Sequence, residues 1–390
     1  MNEYDMVVIG GGPAGSMAAC TAAENGLSVL LVERDPIIGH PVRCAEGVDE
    51  KGLCEFFTPD PSWIASEMTG YNLVAPDGTV VAMNVDGQKG YILERIIFDR
   101  MIAERAAGSG AMIKTGVEAV SMSEYRNGLR TVQLRNCSKE WSAHARVVIA
   151  ADGVESRVAR WAGLNTTTNP HDMETCAQVT LSGIDIDPNS FSLYFTKLYA
   201  PGGYAWVFPK GECTANVGLG ISGDKTNGKN PCNYLDDFRA RYFPDASVVA
   251  RTVGGVQCSG GAEKIFADGL MVCGDAAHMA NPITGGGIIN GLIAGKIAGE
   301  IAADALKTQH GAIEGNLKQF PKRCNDRFGK MNRRFYRIKE GIFNIPDYRF
   351  NEIAHEMIKL PIEKRTPVRV LRSAVFNNPE LLLLLAKVVL

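Results

Sequence analysis

The residues most clearly spaced for chemistry open the chain. Gly10, Gly12 and Gly15 form a Gly-x-Gly-x-x-Gly pattern, Ala14 lies inside it, and Glu33 ends the next apolar run. Such a pattern suits a dinucleotide. The first glycine permits a tight turn, the second lets backbone approach a pyrophosphate, and the third lets a helix pack closely on a strand. A helix starting here would turn free N–H groups and the positive end of its dipole toward phosphate. The Glu33 carboxylate can accept both ribose hydroxyl hydrogens and disfavours a 2′-phosphate. FAD and NAD share this adenosine geometry, so this segment leaves both open.

A second segment decides between them. Asp275 directly follows the apolar run 270–273, where its carboxylate could hydrogen-bond a flexible polyol such as ribityl. Gly285, Gly286, Gly287 and Ile288 then begin a helix. Glycines there allow a flat ring to lie against backbone, and helix N–H groups would stabilise negative charge at the N1/C2=O edge of a reduced flavin. NAD has no ribityl, so FAD is the expected cofactor.

Three further features are open to two readings. Tyr204, Trp206 and Phe208 alternate, so on a strand they share a face and form an aromatic wall for an apolar, extended ligand. The competing reading is three aromatics filling the space between sheet and helices. Cys44 is either a small buried hydrophobe or a thiol that serves a flavin reaction, with Arg43 beside it to lower its pKa. His278 either contacts the flavin region or is a satisfied structural histidine.

Elements that would position these residues follow from the apolar periodicity. Strand 6–10, an alanine-rich helix 13–25 and strand 28–33 make a βαβ start. A helix over 91–107 and strands over 111–117, 129–134 and 146–151 continue the alternation. Between 175 and 221 short alternating runs separated by turns at Asp187-Pro188, Pro201-Gly202-Gly203 and Lys210-Gly211 predict an antiparallel sheet. Strand 270–273 and helix 286–306 return to the first pattern, and the last 80 or so residues read as mainly helical.

Composition narrows the class of ligand. Acidic (43) and basic (41) side chains nearly balance, so no long-range field favours nucleic acid. The 10 cysteines include no Cys-x-x-Cys pair, no metal site is expected, and no secretory signal pattern opens the chain; a reducing, cytoplasmic setting is expected. No apolar run reaches the roughly 20 residues of a spanning helix. The apolar C-terminus, Leu381 to Leu385 and on to Leu390, reads as a terminal helix docked on the core, the alternative being contact with a bilayer or an oligomer partner.

The glycine fingerprint, Ala150-Ala151-Asp152-Gly153 with Ser156 and Arg157, and Gly274-Asp275-Ala276-Ala277-His278 together resemble the three signatures of the FAD enzymes that include para-hydroxybenzoate hydroxylase. The resemblance runs from residue 1 to about 306 and implies an α/β (α+β composite) fold. That fold has a Rossmann-like FAD-binding domain over 1–70, 91–170 and 255–310, an inserted antiparallel β-sheet substrate domain over 71–90 and 171–254, and a helical C-terminal region over 311–390. It also implies that Arg95 lies near the pyrophosphate and that Val117 belongs to the cofactor-binding set.

Two more motifs, Pro41-Val42-Arg43-Cys44-Ala45-Glu46-Gly47 and Pro201-Gly202-Gly203-Tyr204-Ala205-Trp206-Val207-Phe208-Pro209-Lys210, are similar to segments that mark geranylgeranyl reductases. The archaeal digeranylgeranylglycerophospholipid reductases are among these, as, more distantly, are chlorophyll-pathway reductases. This resemblance implies flavin contacts from Arg43, Cys44, Ala45 and Gly47, catalytic roles for Cys44 and Tyr204, and chain binding by Tyr204, Trp206 and Phe208.

The expected activity is FAD-dependent saturation of isolated C=C bonds in geranylgeranyl chains of archaeal membrane glycerophospholipids. An isolated alkene accepts hydride poorly, so a proton must arrive first or together with it, from Cys44, Tyr204 or water. With one dinucleotide fingerprint visible, an external electron donor such as ferredoxin is expected alongside the prenylated lipid, and peripheral membrane contact is an open expectation. The alternatives are a flavin monooxygenase or halogenase and a non-catalytic flavin- or prenyl-lipid-binding protein. Halogenases carry Trp-x-Trp-x-Ile-Pro, and Tyr204-x-Trp206-x-Phe208-Pro209 departs from it in two places.

Overall fold

A computed structural model describes residues 3–376 apart from Asp86, so the apolar stretch 381–390 lies outside the described residues. The chain forms two compact units. The first comprises Met1–Val42, Arg95–Thr168 and Gln257–Arg333, and the second Arg43–Glu94, Asn169–Val256 and the residues from Arg334 onward.

The first unit is built on an eight-stranded sheet whose centre is the strand Glu3–Ile9, with Met6, Val7 and Val8 fully buried. Such a continuous apolar run is what a strand covered on both faces needs. It pairs in parallel with Val29–Val32 on one side and with Glu140–Ala150 on the other. Met112–Lys114 and Leu270–Val272 extend the parallel part; Arg130–Arg135 folds back antiparallel along Glu140–Ala150, and Glu118–Met122 pairs antiparallel with Arg130–Arg135.

Two helices cross this unit side by side, Pro13–Glu24 and Ile288–Leu306. Gly291, Gly295 and Gly299 recur every four residues and face Ala14, Ala18 and Thr21. A Cβ on Gly295 would stand 2.2 Å from the Ala14 carbonyl oxygen, so the approach requires glycine. The pairing runs from Gly291 at Ala14 to Gly299 at Thr21, so the helices are parallel and both begin at the end of the unit where the parallel strands finish. Open parallel sheets bind ligands at that end.

The second unit holds a seven-stranded sheet in the order Ser247–Gln257, Met173–Ser182, Thr214–Ser222, Ala205–Pro209, Ser190–Tyr194, Gly70–Val74, Val80–Met83. It departs from the expected antiparallel sheet where Ser190–Tyr194 runs parallel to Gly70–Val74. Period-two alternation sorts its side chains. Ala177, Val179, Leu181, Val207, Val217 and Leu219 turn to one face and are buried with Leu235 and Phe238 of the helix Pro231–Tyr242. That helix starts in a capping box, with Asn230 accepting from the Asn233 N–H. Glu174, Cys176, Gln178, Asn216, Gly218, Trp206 and Phe208 alternate with those core residues and so belong to the opposite face.

The units cut the chain differently from the boundaries read from sequence. Residues 43–70 and 91–94 fall in the second unit, because Gly47–Asp49, Ile64–Met68 and Gly90–Leu93 form a three-stranded sheet there. The helix expected over 91–107 accordingly starts at Arg95, after the last of these strands. The C-terminal region is not one body either. Residues up to Arg333 belong to the first unit, whereas Ile353, Ala354 and Met357 of the helix Asp347–Ile358 pack on Ala75, Val81 and Met83 of the second.

Candidate functional site

In the first unit the glycine fingerprint is positioned by steric need. Gly10 has φ +105°, and a Cβ there would stand 2.2 Å from the Ala151 carbonyl oxygen. At Gly15 a Cβ would stand 1.9 Å from the Gly10 carbonyl oxygen. Gly12 differs: a Cβ would meet nothing within 4 Å, so its outer side is open. Glu33 is half-buried; its Oε2 accepts from the Gly11 N–H at 2.7 Å and its Oε1 from the Asp35 N–H at 2.9 Å. Each carboxylate oxygen accepts more than one bond, so both retain capacity for ribose hydroxyls. Val117 is buried beside it and donates its N–H to the Glu33 carbonyl at 2.9 Å.

The second half of the fingerprint meets the first within the same unit. Ala14 lies against Gly274, Gly291 and Gly295. The Asp275 Oδ1 lies 3.0 Å from where a Cβ on Gly287 would stand, so Asp275 sits over the start of the helix that Ile288 opens. Burial pushes the Asp275 carboxyl above the usual carboxylate range, and the positive charge of Arg95 opposes that shift. Arg95 is itself held by a bidentate pair with the buried Asp99, both bonds at 2.7 Å. Gly286 is exposed at the turn, its N–H donating to the Thr284 hydroxyl at 3.2 Å.

Asp152 and Ser156 fix the 150–157 motif in place. Ser156 adopts φ +45° and donates its hydroxyl to the Ala276 carbonyl at 2.7 Å, tying the 150–157 motif to the 274–278 motif. Asp152 Oδ2 accepts from the Val158 N–H at 2.9 Å, while its Oδ1 is buried without a hydrogen-bond partner. His278 is buried with Nε2 3.1 Å from the Thr166 carbonyl and Nδ1 3.3 Å from the Ser259 hydroxyl. A carbonyl only accepts, so Nε2 donates, and the ring is held as a structural histidine is.

These residues fit a flavin dinucleotide. Both helices that begin at this end start without a side-chain cap and without an acidic residue in the first turn, which leaves their N–H groups for an anion. The open side of Gly12 lies at one of those starts and Asp275 at the other.

The second unit carries the remaining predicted residues: Arg43, Cys44, Ala45, Gly47, Tyr204, Trp206 and Phe208. The two motifs read separately in the sequence meet here. The Lys210 ammonium donates to Glu46 Oε2 at 2.7 Å, with only 12% and 4% of the two side chains exposed, and Asn216 Nδ2 donates to the same oxygen at 2.7 Å. A Cβ on Gly47 would stand 2.9 Å from the Phe208 ring. Glu46 takes φ +75°, a strained setting for a non-glycine residue, and its N–H donates to the Cys44 sulfur at 3.2 Å.

Gln178 connects Cys44 with the aromatic row. Its Nε2 donates to the Cys44 carbonyl at 3.1 Å and its Oε1 accepts from Trp206 Nε1 at 3.0 Å. Trp206 is 8% exposed, its ring resting on Gly218, where a Cβ would stand 2.5 Å away. Tyr204 precedes the strand and meets Trp206 edge-on at 5.9 Å, and Phe208 meets Phe191 edge-on at 5.2 Å. Arg43 is exposed and lies along Gly254, and Ala45 is half-buried. No spacing in the sequence signals Gln178 or Asn216; Glu46 and Lys210 stood inside the quoted motifs, and their opposite charges were the available clue.

Comparison with known proteins agrees with both halves. A family model described as FAD dependent oxidoreductase matches residues 5–40, and one described as geranylgeranyl reductase catalytic domain matches 172–256. A crystal structure of a geranylgeranyl bacteriochlorophyll reductase-like protein from Thermoplasma acidophilum superposes with a TM-score of 0.92 at 32% identity, covering 100% of both chains. The fold is shared more widely: p-nitrophenol 4-monooxygenase from Pseudomonas putida superposes with a TM-score of 0.73 at 17% identity, over 97% of this chain and 98% of that one. Digeranylgeranylglycerophospholipid reductase from Methanosarcina acetivorans is 43% identical, covering 97% of this chain and 94% of its own. Its counterpart from Methanocella arvoryzae is 42% identical over 98% of each chain. A likeness at that level, end to end and through both glycine half-sites, has one meaning: the chain belongs to the digeranylgeranylglycerophospholipid reductase family, and its cofactor is FAD.

Proposed function

We propose that this protein is an FAD-dependent reductase that saturates the isolated C=C bonds of geranylgeranyl chains on archaeal-type glycerophospholipids. The observation that carries this reading is the second unit's sheet face, where Gln178 bridges the Cys44 backbone and the Trp206 indole beside Tyr204 and Phe208. A row of aromatic side chains along one strand suits an extended apolar chain better than a compact aromatic substrate.

FAD, when bound and reduced, supplies hydride to one alkene carbon. Gly10, Gly12, Ala14, Gly15 and Arg95 are assigned to the pyrophosphate, Glu33 and Val117 to the adenosine end, and Asp275 to the ribityl chain. Gly286, Gly287 and Ile288 are assigned to the flavin edge, with Arg43, Cys44, Ala45 and Gly47 as further flavin contacts. Tyr204, Trp206 and Phe208 hold the chain and exclude water from it, and Cys44 and Tyr204 stand at its reacting end. Water exclusion protects the reduced cofactor and strengthens every polar contact at the reacting carbons.

Electrons are proposed to come from an external donor such as ferredoxin, and the lipid from a membrane surface that the protein touches without crossing. No described helix is long and apolar enough to span a bilayer. The test is anaerobic: the protein is reduced, a digeranylgeranylglyceryl phospholipid is added, and flavin absorbance is followed. Reoxidation by the lipid alone supports the reductase. Reoxidation with product only after oxygen enters makes it a monooxygenase, and neither makes it a binding protein.

A further inference from the structure

Alkene reduction consumes a proton as well as a hydride, and the second unit contains an acid that the sequence did not single out. Glu174 lies on the strand Met173–Ser182, on the face it shares with Cys176 and Gln178. It is 7% exposed, and neither carboxyl oxygen has a hydrogen-bond partner. A buried carboxyl left unsatisfied costs stability and calls for a use.

Two glycines pack against it. A Cβ on Gly203 would stand 3.0 Å from Glu174 Oε2, and one on Gly220 would stand 3.8 Å from that oxygen and 3.4 Å from Cys176 Sγ. A Cβ on Gly203 would also stand 2.2 Å from the Gly220 carbonyl oxygen, so the carboxyl packs on bare backbone that only glycine allows at 203. Gly220 also donates its N–H to the Tyr204 carbonyl at 3.0 Å, so the carboxyl borders the aromatic segment assigned to the chain.

We propose that Glu174 is the general acid of the reduction, donating its proton to a double bond of a chain laid on this face. The inference rests on the reductase reading above. The Glu174 O–H bond breaks and the π electron pair forms a C–H bond with the released proton; hydride from the reduced cofactor forms the second C–H bond. The alkene gains two electrons and the cofactor loses two. Glu174 is left as a carboxylate, with the Lys339 ammonium 4.0 Å from its Oε1, and solvent reprotonates it.

The charges around Glu174 agree with an acid that keeps its proton up to about neutral pH. Burial pushes its carboxyl up to about 7, against the positive charges of Lys339, Lys225 and His171 and with the negative charge of Asp224. Cys176 and Asp172 also lie close to it, and Glu340 and Tyr336 stand behind His171 and Asp172; the Cys176 thiol is raised to about 12 by burial, and the Asp172 Oδ1 lies 3.7 Å from Lys339. An acid works best when its pKa lies near the working pH.

The experiment uses FAD-loaded wild type, Glu174→Gln, Glu174→Asp and Cys44→Ser in anaerobic single turnover across pH. The expected wild-type rate falls as pH rises through about 7. Glu174→Gln is expected to keep its FAD, to lose that pH dependence and to slow on the order of a hundredfold. Glu174→Asp should recover part of the rate, and Cys44→Ser should retain the alkaline fall.

Two readouts are independent of turnover. Wild type should show an infrared carboxyl band that disappears as pH rises through about 7 and is missing from Glu174→Gln. The folded protein holds this proton more tightly than the unfolded chain, so wild-type stability should decline between pH 4.5 and about 7 while that of Glu174→Gln does not. The proposal is overturned if Glu174→Gln reduces the lipid at full rate, keeps the alkaline fall, or loses fold or FAD, the last marking the residue as structural. If wild type does not reduce the lipid at all, the reductase reading itself has failed, and the infrared titration then reports on Glu174 separately.

Discussion

The two units build their candidate sites from different material. In the first, the fingerprint is mostly backbone: glycines forced by contacts as close as 1.9 Å and two helix starts left uncapped. In the second, it is side chains distant in sequence, with Glu46 paired to Lys210 and Gln178 holding both the Cys44 carbonyl and Trp206 Nε1. A backbone site tolerates almost no change at its glycines but accepts many side chains around them. A side-chain site can be broken one pair at a time, and each break has its own cost.

The largest effect should follow a change to that backbone. Gly15→Ala puts a methyl group 1.9 Å from the Gly10 carbonyl oxygen and should cost more than about 3 kcal/mol, so that little folded, yellow protein is recovered. Gly12→Ala should fold normally, because its Cβ meets no protein atom within 4 Å, yet bind FAD more weakly. Thermal melting of both apo proteins, with flavin absorbance after reconstitution, measures the contrast. Equal melting losses would show that Gly12 serves packing and not the cofactor.

That asymmetry also explains what could be read in advance. The places of Gly10, Gly12, Gly15 and Glu33 were legible because they lie within one strand–turn–helix–strand, where sequence spacing is spatial spacing. Asp275 and Gly287 were legible for the same reason, while the closeness of Ala14 to Gly295 needed the packing of two helices far apart in the chain. Alternation placed Trp206 and Phe208 on one face but carried no sign that Trp206 is buried and bonded to Gln178. The compact units divide the chain differently at 43–70 because pairing of Gly47–Asp49 with Gly90–Leu93 is a long-range choice that local periodicity does not encode.

A smaller effect should come from the charged pair that joins the two motifs of the second unit. Lys210→Met removes the buried cation paired with the Glu46 carboxylate and should cost about 3 kcal/mol. Adding Glu46→Gln should restore most of that, since the penalty is that of an uncompensated charge. Urea unfolding of the two singles and the double gives the coupling, and additive losses would mean that the pair does not act as a unit.

Smaller still is Gln178→Leu, which removes both of its bonds and leaves Trp206 Nε1 without this acceptor at a cost of about 1–2 kcal/mol. FAD content should stay at the wild-type level while alkene reduction slows severalfold. Loss of FAD here would place Gln178 in cofactor retention and blur the contrast between the two units.

The most direct test of this division of labour compares Asp275→Ala with Trp206→Ala, each measured for FAD content as purified and for anaerobic single-turnover reduction of prenyl lipids of increasing chain length. Asp275→Ala is expected to emerge depleted of FAD. Trp206→Ala is expected to carry full FAD and accept electrons normally, yet to reduce the lipid more slowly, by a deficit that grows with chain length as up to about 0.8 kcal/mol of burial is lost per methylene. Full FAD in Asp275→Ala, or in Trp206→Ala a loss of FAD or an equal deficit at every chain length, would contradict the account.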